Sequence, residues 1–193
     1  MTTHIMIDLE TLGTTADAAI LSIGAVRFDL ETGTVYDHNS HTFYKSVTID
    51  SQPARQISGD TIAWWMAQST AAKTVFTEPK VSLWNALMDL REWVNTSPEF
   101  GHPNVWSNGA DFDLPMLVHA YSQEKIILPW KPYAGRCYRT YKNLPGARDV
   151  KVIRVGEHHN ALDDAIYQAE HVCKIHRALF MTAVAGQPIE VAA

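Results

Sequence analysis

The period of the apolar positions changes along the chain. From the start to about residue 50 it is two. HIMIDLE and AAILSIGAVRFD alternate as strands do and are joined by a turn at Gly13–Asp17. ETG at 31–33 marks a hairpin turn, and HTFYKSVTI from His41 reads as a third strand. This predicts an antiparallel meander. The period then becomes helical. SGDTIAWWMAQST has Ser58 or Asp60 as its N-cap, with Ile62, Trp65, Met66 and Ser69 on one face. KVSLWNALMDLREWVN at 80–95 spaces Leu83, Leu87, Leu90 and Val94 along one helix face. NVWSN at 104–108 reads as a short strand, and FDLPMLVHAYSQ as a helix with Pro115 in its first turn. Residues 129–156 are punctuated by Pro and Gly, with one strand expected near RCYRTY. A last helix runs from about Asn160 to Phe180. The pattern predicts an α/β fold: a mixed five-stranded sheet, antiparallel over strands 1–3 and parallel after, with helices packed on it. One domain is expected over 1–182, followed by a loosely held tail, 183–193.

One strand breaks its own pattern. Within HIMIDLE, Asp8 and Glu10 are two positions apart, so both side chains project from one face. The strand rise puts them roughly 6–7 Å apart. Ile5, Ile7 and Leu9 take the other face. Two carboxylates on a partly buried face repel and lose hydration, unless a hard divalent cation compensates. A polar face on a wet edge strand is the alternative. Two further acidic clusters bear on the choice. Asp111 and Asp113 follow the strand NVWSN directly, where α/β folds gather ligands, although either also suits a helix start. HHNALDDAIYQAEHV opens the last helix with His158, His159, Asp163 and Asp164, the two aspartates diverging by about 100°.

Size and composition place few further limits. At 193 residues, 46% hydrophobic and 19% charged, the chain suits one globular domain. No run approaches the ~18–20 apolar residues of a membrane span. MTTHIMIDLE shows neither a basic nor an apolar leader segment, and Cys137 and Cys173 match no zinc or redox spacing, so a reduced cytoplasmic protein with no membrane contact is expected. Net charge is −5, against a broadly basic nucleic-acid binder, but its distribution is uneven. Residues 125–156 hold eight basic side chains and one acid, leaving eight basic and 20 acidic elsewhere. That segment either faces a polyanion or is simply a solvated basic loop region.

Taken together, Asp8-Leu-Glu10-Thr11, Phe112-Asp113 and His159-Asn-Ala161-Leu-Asp-Asp164 resemble the motifs of the DEDDh, or DnaQ-like, 3′–5′ exonucleases of the ribonuclease H-like fold. Their order covers nearly the whole chain. DTIAWWMAQ at 60–68 and the W-x-N-G-x-x-F-D form at 106–113 are similar to the exonuclease VIII-like and mycobacterial-type exoribonuclease branch, found in phage and bacterial proteins. The resemblance selects Asp113 over Asp111, and His159 with Asp164 over His158 with Asp163, because Ala161 then keeps the small position.

The resemblance implies a metal-dependent hydrolase that releases nucleoside 5′-monophosphates from the 3′ ends of single-stranded or frayed DNA or RNA. It implies two Mg²⁺ or Mn²⁺ ions. Asp8 would bridge them, Glu10 and Asp164 would complete the nucleophile-side ion, and Asp113 would serve the other. His159 would accept the proton of the attacking water. Its Gly-flanked approach, VGEHHN, reads as mobile. Thr11 and Leu12 would meet the terminal nucleotide, Leu12 as an apolar wedge. Trp64 or Trp65 would stack a base, the other being core. Arg136 and Arg139, from the basic segment, would track the backbone. Related small exonucleases often pair, so a homodimer is open. The competing readings are a catalytically silent nucleic-acid-binding module of the same fold and a ribonuclease H-like endonuclease.

Overall fold

The computed structural model describes residues 4–96, 103–109 and 111–181. The expected tail, 183–193, lies outside the described residues.

β1 (His4–Thr11) is the middle of the sheet and is buried over its whole length, as is its antiparallel partner β2 (Ile20–Asp29). The carboxylates therefore do not stand on a wet edge. Asp29 ends β2 by accepting at Oδ1 from the backbone N–H groups of Glu31 and Thr32, which closes the hairpin expected at 31–33. The chain returns as β3 (Thr34–Tyr36) and then β4 (Thr42–Ser46). Both lie antiparallel on β2, β3 against Arg27–Asp29 and β4 against Ser22–Val26. The third strand expected from His41 is β4, and β3 is an additional short strand before it, separated from β4 by a short turn at Asn39–His41. Six strands fill the five expected positions.

On the other side of β1, β5 (Asn104–Ser107) runs parallel, and β6 (Gly135–Cys137) runs parallel to β5. The strand expected near RCYRTY is only those three residues. From Tyr138 the chain is α4 (Tyr138–Lys142), whose N-cap is Cys137, with Sγ accepting from the Thr140 N–H.

Helices cover both faces of the sheet. α2 (Leu83–Asn95) and α3 (Asp113–Gln123) pack on the face that carries Ile5, Ile7 and Leu9. Leu83, Leu87, Leu90 and Val94 are buried there, as their spacing predicts. α5 (Ala161–His176) and α4 cover the face that carries Met6, with Ala165, Ala169 and Val172 against Val26 and Phe28. By alternation Asp8 and Glu10 point to the α5 face. α1 (Gly59–Met66), capped by the Ser58 hydroxyl, departs from its expected stripe. Of that stripe only Trp65 is buried in α1, while Met66 is 74% exposed. A helix of eight residues anchors by one aromatic and leaves its remaining turn over a cleft.

Two features bring α5 close to β1. Gly24 pairs with Asp8 across the β1–β2 ladder. A methyl group on Gly24 would lie 2.2 Å from the Ala161 carbonyl carbon, so the start of α5 rests on bare strand backbone. A small residue at 161 and none at 24 let the first turn of α5 lie beside Asp8. Among the described residues, no helix is long and apolar enough to cross a membrane.

Candidate active site

β1 and β5 pair only as far as Met6 and Trp106. Beyond that point the two strands part, and the backbone N–H of Leu9 donates to Asp113 Oδ1 at 3.1 Å instead of to a strand. The site lies in this opening, at the carboxyl ends of β1 and β5, where an α/β sheet leaves a crevice. A cleft of about 730 Å³ occupies it, lined by Asp8, Glu10, Asp113, His159 and Asp164 among others.

Asp8, Glu10 and Asp164 each bring an oxygen within 4.8 Å of the others. All three are buried, as is Asp113 at 2% exposure. Asp113 starts α3, whereas Asp111 is exposed and pairs with Arg139 at 3.6 Å. The structure thus turns Asp113, and not Asp111, into the cleft.

Crowding and burial raise these acids. The Asp8 carboxyl is pushed well above the usual carboxylate range by burial, then by Asp113, Glu10 and Asp164. Burial, followed by Asp164 and Asp113, lifts Glu10 to about 8. Burial lifts Asp113 to about 7 despite the hydrogen bond from Leu9. Asp113 Oδ2 is buried with no hydrogen-bond partner among the described residues. Clustered, protonation-prone carboxylates with an orphaned oxygen suit a hard divalent cation: the donors are all oxygens and the missing component is positive charge.

His159 reaches the cleft on the strap between α4 and α5. His159 adopts φ +64°, and its N–H donates to Asp164 Oδ2 at 2.9 Å. Its ring lies edge-on to Trp64, 4.8 Å between centroids, and 4.5 Å from the His158 ring. Burial, then the His158 charge, holds its imidazole below the usual value. Asn160 caps α5 by accepting from Leu162 and Asp163. Asp163 points away from Asp164 and accepts from the Glu157 N–H at 2.7 Å. The approach to His159 thus carries defined hydrogen bonds at Glu157 and His159. His171 Nε2 donates to Val150 O while its Nδ1 accepts from the Tyr138 hydroxyl. Ser69 donates to Glu157. Gly156 turns the strap at φ +86°, against an Asp163 side chain that any Cβ would strike at 2.5 Å.

The remaining expected residues divide. Trp64 is 43% exposed and lines the cleft. Trp65 is core, donating from Nε1 to Thr11 O, so it does not face substrate. Leu12 is buried against Trp65 and is not among the residues lining the cleft. Thr11 lines the cleft, but its hydroxyl donates to Gly13 O. Arg139 lines the cleft. Arg136 does not: it is exposed on β6 and donates to the carbonyls of Tyr133 and Gly135.

Gln168, Lys142 and Arg154 are among the cleft residues that the sequence reading did not single out. Gln168 donates to Asp8 Oδ1 at 2.8 Å, and its place one turn after Asp164 was the available signal. Lys142 and Arg154 appeared only within the basic segment. Of its eight cations, Arg139, Lys142 and Arg154 face the cleft.

The family described as the 3′-5′ exoribonuclease Rv2179c-like domain matches residues 3–176. The chain belongs to this family. This Rv2179c-like chain is a 3′–5′ exonuclease. No curated protein sequence matches it significantly. Solved structures share its ribonuclease H-like fold. The nuclease domain of 3′hExo, a DEDDh family member bound to rAMP, aligns with TM-score 0.61 at 15% identity over 90% of each chain. Pop2p of S. pombe, in an Mg²⁺- and Mn²⁺-bound form, aligns with TM-score 0.62 at 16% identity, over 91% of this chain and 83% of that one. E. coli exonuclease I in complex with a dT13 oligonucleotide gives TM-score 0.62 at 12% identity, over 96% of this chain and 43% of that one.

Proposed function

We propose that this Rv2179c-like exonuclease releases nucleoside 5′-monophosphates from the 3′ ends of single-stranded or frayed nucleic acid, using two Mg²⁺ or Mn²⁺ ions. Asp8, Glu10 and Asp164 would hold one ion and Asp113, with Asp8, the other. The reading rests on one observation: four buried carboxylates from three distant segments meet beside His159, three of them raised above the ordinary range. RNA is the preferred substrate, in keeping with the description of the family.

When bound, the cations would activate the attacking water and neutralise charge on the phosphoryl and departing 3′ oxygens. The protein supplies the rest. His159, kept neutral near pH 7 by its burial, accepts the proton released as water attacks. Gln168 fixes the Asp8 carboxylate. Trp64 offers a ring face to the terminal base. Arg139 and Lys142 line the wall toward the phosphates of the retained strand.

The test is a time course on RNA and DNA strands labelled at either end, with Mg²⁺ or Mn²⁺, for wild type and Asp8→Asn. Mononucleotides released from the 3′ end by wild type only, with RNA preferred, support the reading. Internal fragments from strands blocked at the 3′ end would support endonuclease action instead, and no cleavage would support a silent module.

A further inference from the structure

We propose that Arg154 is an internal counter-ion of Asp164, displaced when a divalent cation binds, and that its freed guanidinium then holds a phosphate of the substrate strand. The inference rests on the metal-binding reading above.

Arg154 lies in a stretch whose side chains face the wrong way for burial. Its neighbours Ile153 and Val155 are 86% and 77% exposed, while the Arg154 side chain is only 25% exposed. Turning an arginine inward and two aliphatics outward loses apolar burial and desolvates a charge, so a specific partner must hold it. That partner is Asp164: Arg154 Nη1 donates to Oδ1. The guanidinium also lies over the Tyr167 ring, 4.2 Å from its centroid, one turn along α5. Asp164 Oδ2 meanwhile receives the His159 N–H. One carboxylate thus grips the strap at two points five residues apart.

The same carboxylate belongs to the cluster with Asp8 and Glu10. A divalent cation there and a guanidinium on the same oxygens would be like charges in contact within a buried site. Of the two, the guanidinium is the movable group, and its departure relieves that repulsion. Tyr167 and the cleft keep it near. A planar fork of donors in a cleft that takes a polyanion matches the geometry of a phosphate. Metal loading and substrate grip are therefore coupled through one side chain.

The test is calorimetry on the whole chain. Mn²⁺ alone is titrated first, then adenosine 5′-monophosphate in the presence of Ca²⁺. Arg154→Gln is expected to bind Mn²⁺ about tenfold more tightly, having lost its competitor, and the nucleotide about tenfold more weakly. A residue that only braces the fold would weaken both. Lys142→Gln, which removes a cleft cation lying over Tyr138 and not on Asp164, should tighten Mn²⁺ less. Arg154→Lys keeps the charge without the fork, so Mn²⁺ affinity should stay near wild type while nucleotide affinity falls. Unchanged or weaker Mn²⁺ binding by Arg154→Gln overturns the counter-ion, and unchanged nucleotide binding by Arg154→Lys overturns the phosphate contact. Wild type that binds no Mn²⁺ overturns the proposed metal site as well, which separates the two failures.

Discussion

Gln168 donates its side-chain N–H to Asp8 Oδ1 at 2.8 Å, from the turn of α5 that follows Asp164. Helix and strand are thereby locked in register at the carboxylate that faces every other acid of the site. Gln168 Oε1 is buried with no hydrogen-bond partner among the described residues, so this amide serves Asp8 and not the packing. Gln168→Leu should keep the fold, since an apolar side chain of similar size removes the orphaned oxygen too. It should lower exonuclease activity and Mn²⁺ affinity together, each by about 10–100-fold. Parallel activity assays and metal titrations check this; unaltered metal affinity would make the contact purely architectural.

Without cations the acid cluster should weigh on stability as pH rises. Folding lifts Glu10 to about 8 and Asp113 to about 7. Unfolded carboxyls titrate near ~4. Between those values the folded chain binds more protons than the unfolded one, so stability falls with increasing pH. Glu10→Gln cannot ionise. In EDTA it should therefore gain on wild type steadily from about pH 5 to about pH 8. Mn²⁺ should raise the wild-type melting temperature more at pH 8 than at pH 6, because it binds the ionised cluster. Thermal melts across that range decide it, and a gap that narrows with pH is the contrary result.

His159 is held below the ordinary imidazole value by burial and by His158. With Mn²⁺ saturating at every pH, so that ionisation of the carboxylates does not limit the rate, the acid limb of kcat/KM should accordingly have its midpoint below ~6.5. His159→Asn should reduce kcat by about 10²–10⁴-fold and abolish that limb. Mn²⁺ binding should survive, because the carboxylates are untouched. A pH–rate series on both proteins is the check, and an unshifted limb in the variant would assign the base elsewhere.

The adjacent tryptophans should part company. Trp64→Ala removes a 43% exposed ring at the mouth of the cleft. It should leave the melting temperature near wild type and weaken strand binding by ~1–3 kcal/mol. Trp65→Ala removes a ring that is 2% exposed and bonded to Thr11 O. It should destabilise the fold by ~3–5 kcal/mol. Denaturant melts and fluorescence binding distinguish the two, and equal stability losses would contradict the division.

Much of this was written in the sequence. Period-two alternation placed Asp8 and Glu10 on one face and Ile5, Ile7 and Leu9 on the other, which is where they lie. Helical spacing showed that Trp64 and Trp65 diverge. What alternation does not encode is which helix comes to rest on which strand. The approach of Ala161 to Gly24 depends on two small residues 137 positions apart, and neither is unusual locally. The same blindness hid the burial of Leu12, which follows from where α1 lands. Arg154 and Arg139 were equal entries in a charge count, because nothing local marks an arginine that turns inward between exposed aliphatics. Arg136 looked equivalent to Arg139 for the same reason, yet Arg136 falls on β6 at the edge of the sheet and Arg139 in the first turn of α4.

Whether the four carboxylates hold two cations is read out by anomalous scattering at the manganese edge from crystals soaked in Mn²⁺. One peak is expected among the Asp8, Glu10 and Asp164 oxygens and a second shared by Asp8 and Asp113, both lost in Asp8→Asn. A cleft without manganese, in crystals of protein that still shortens RNA, would contradict two-cation binding.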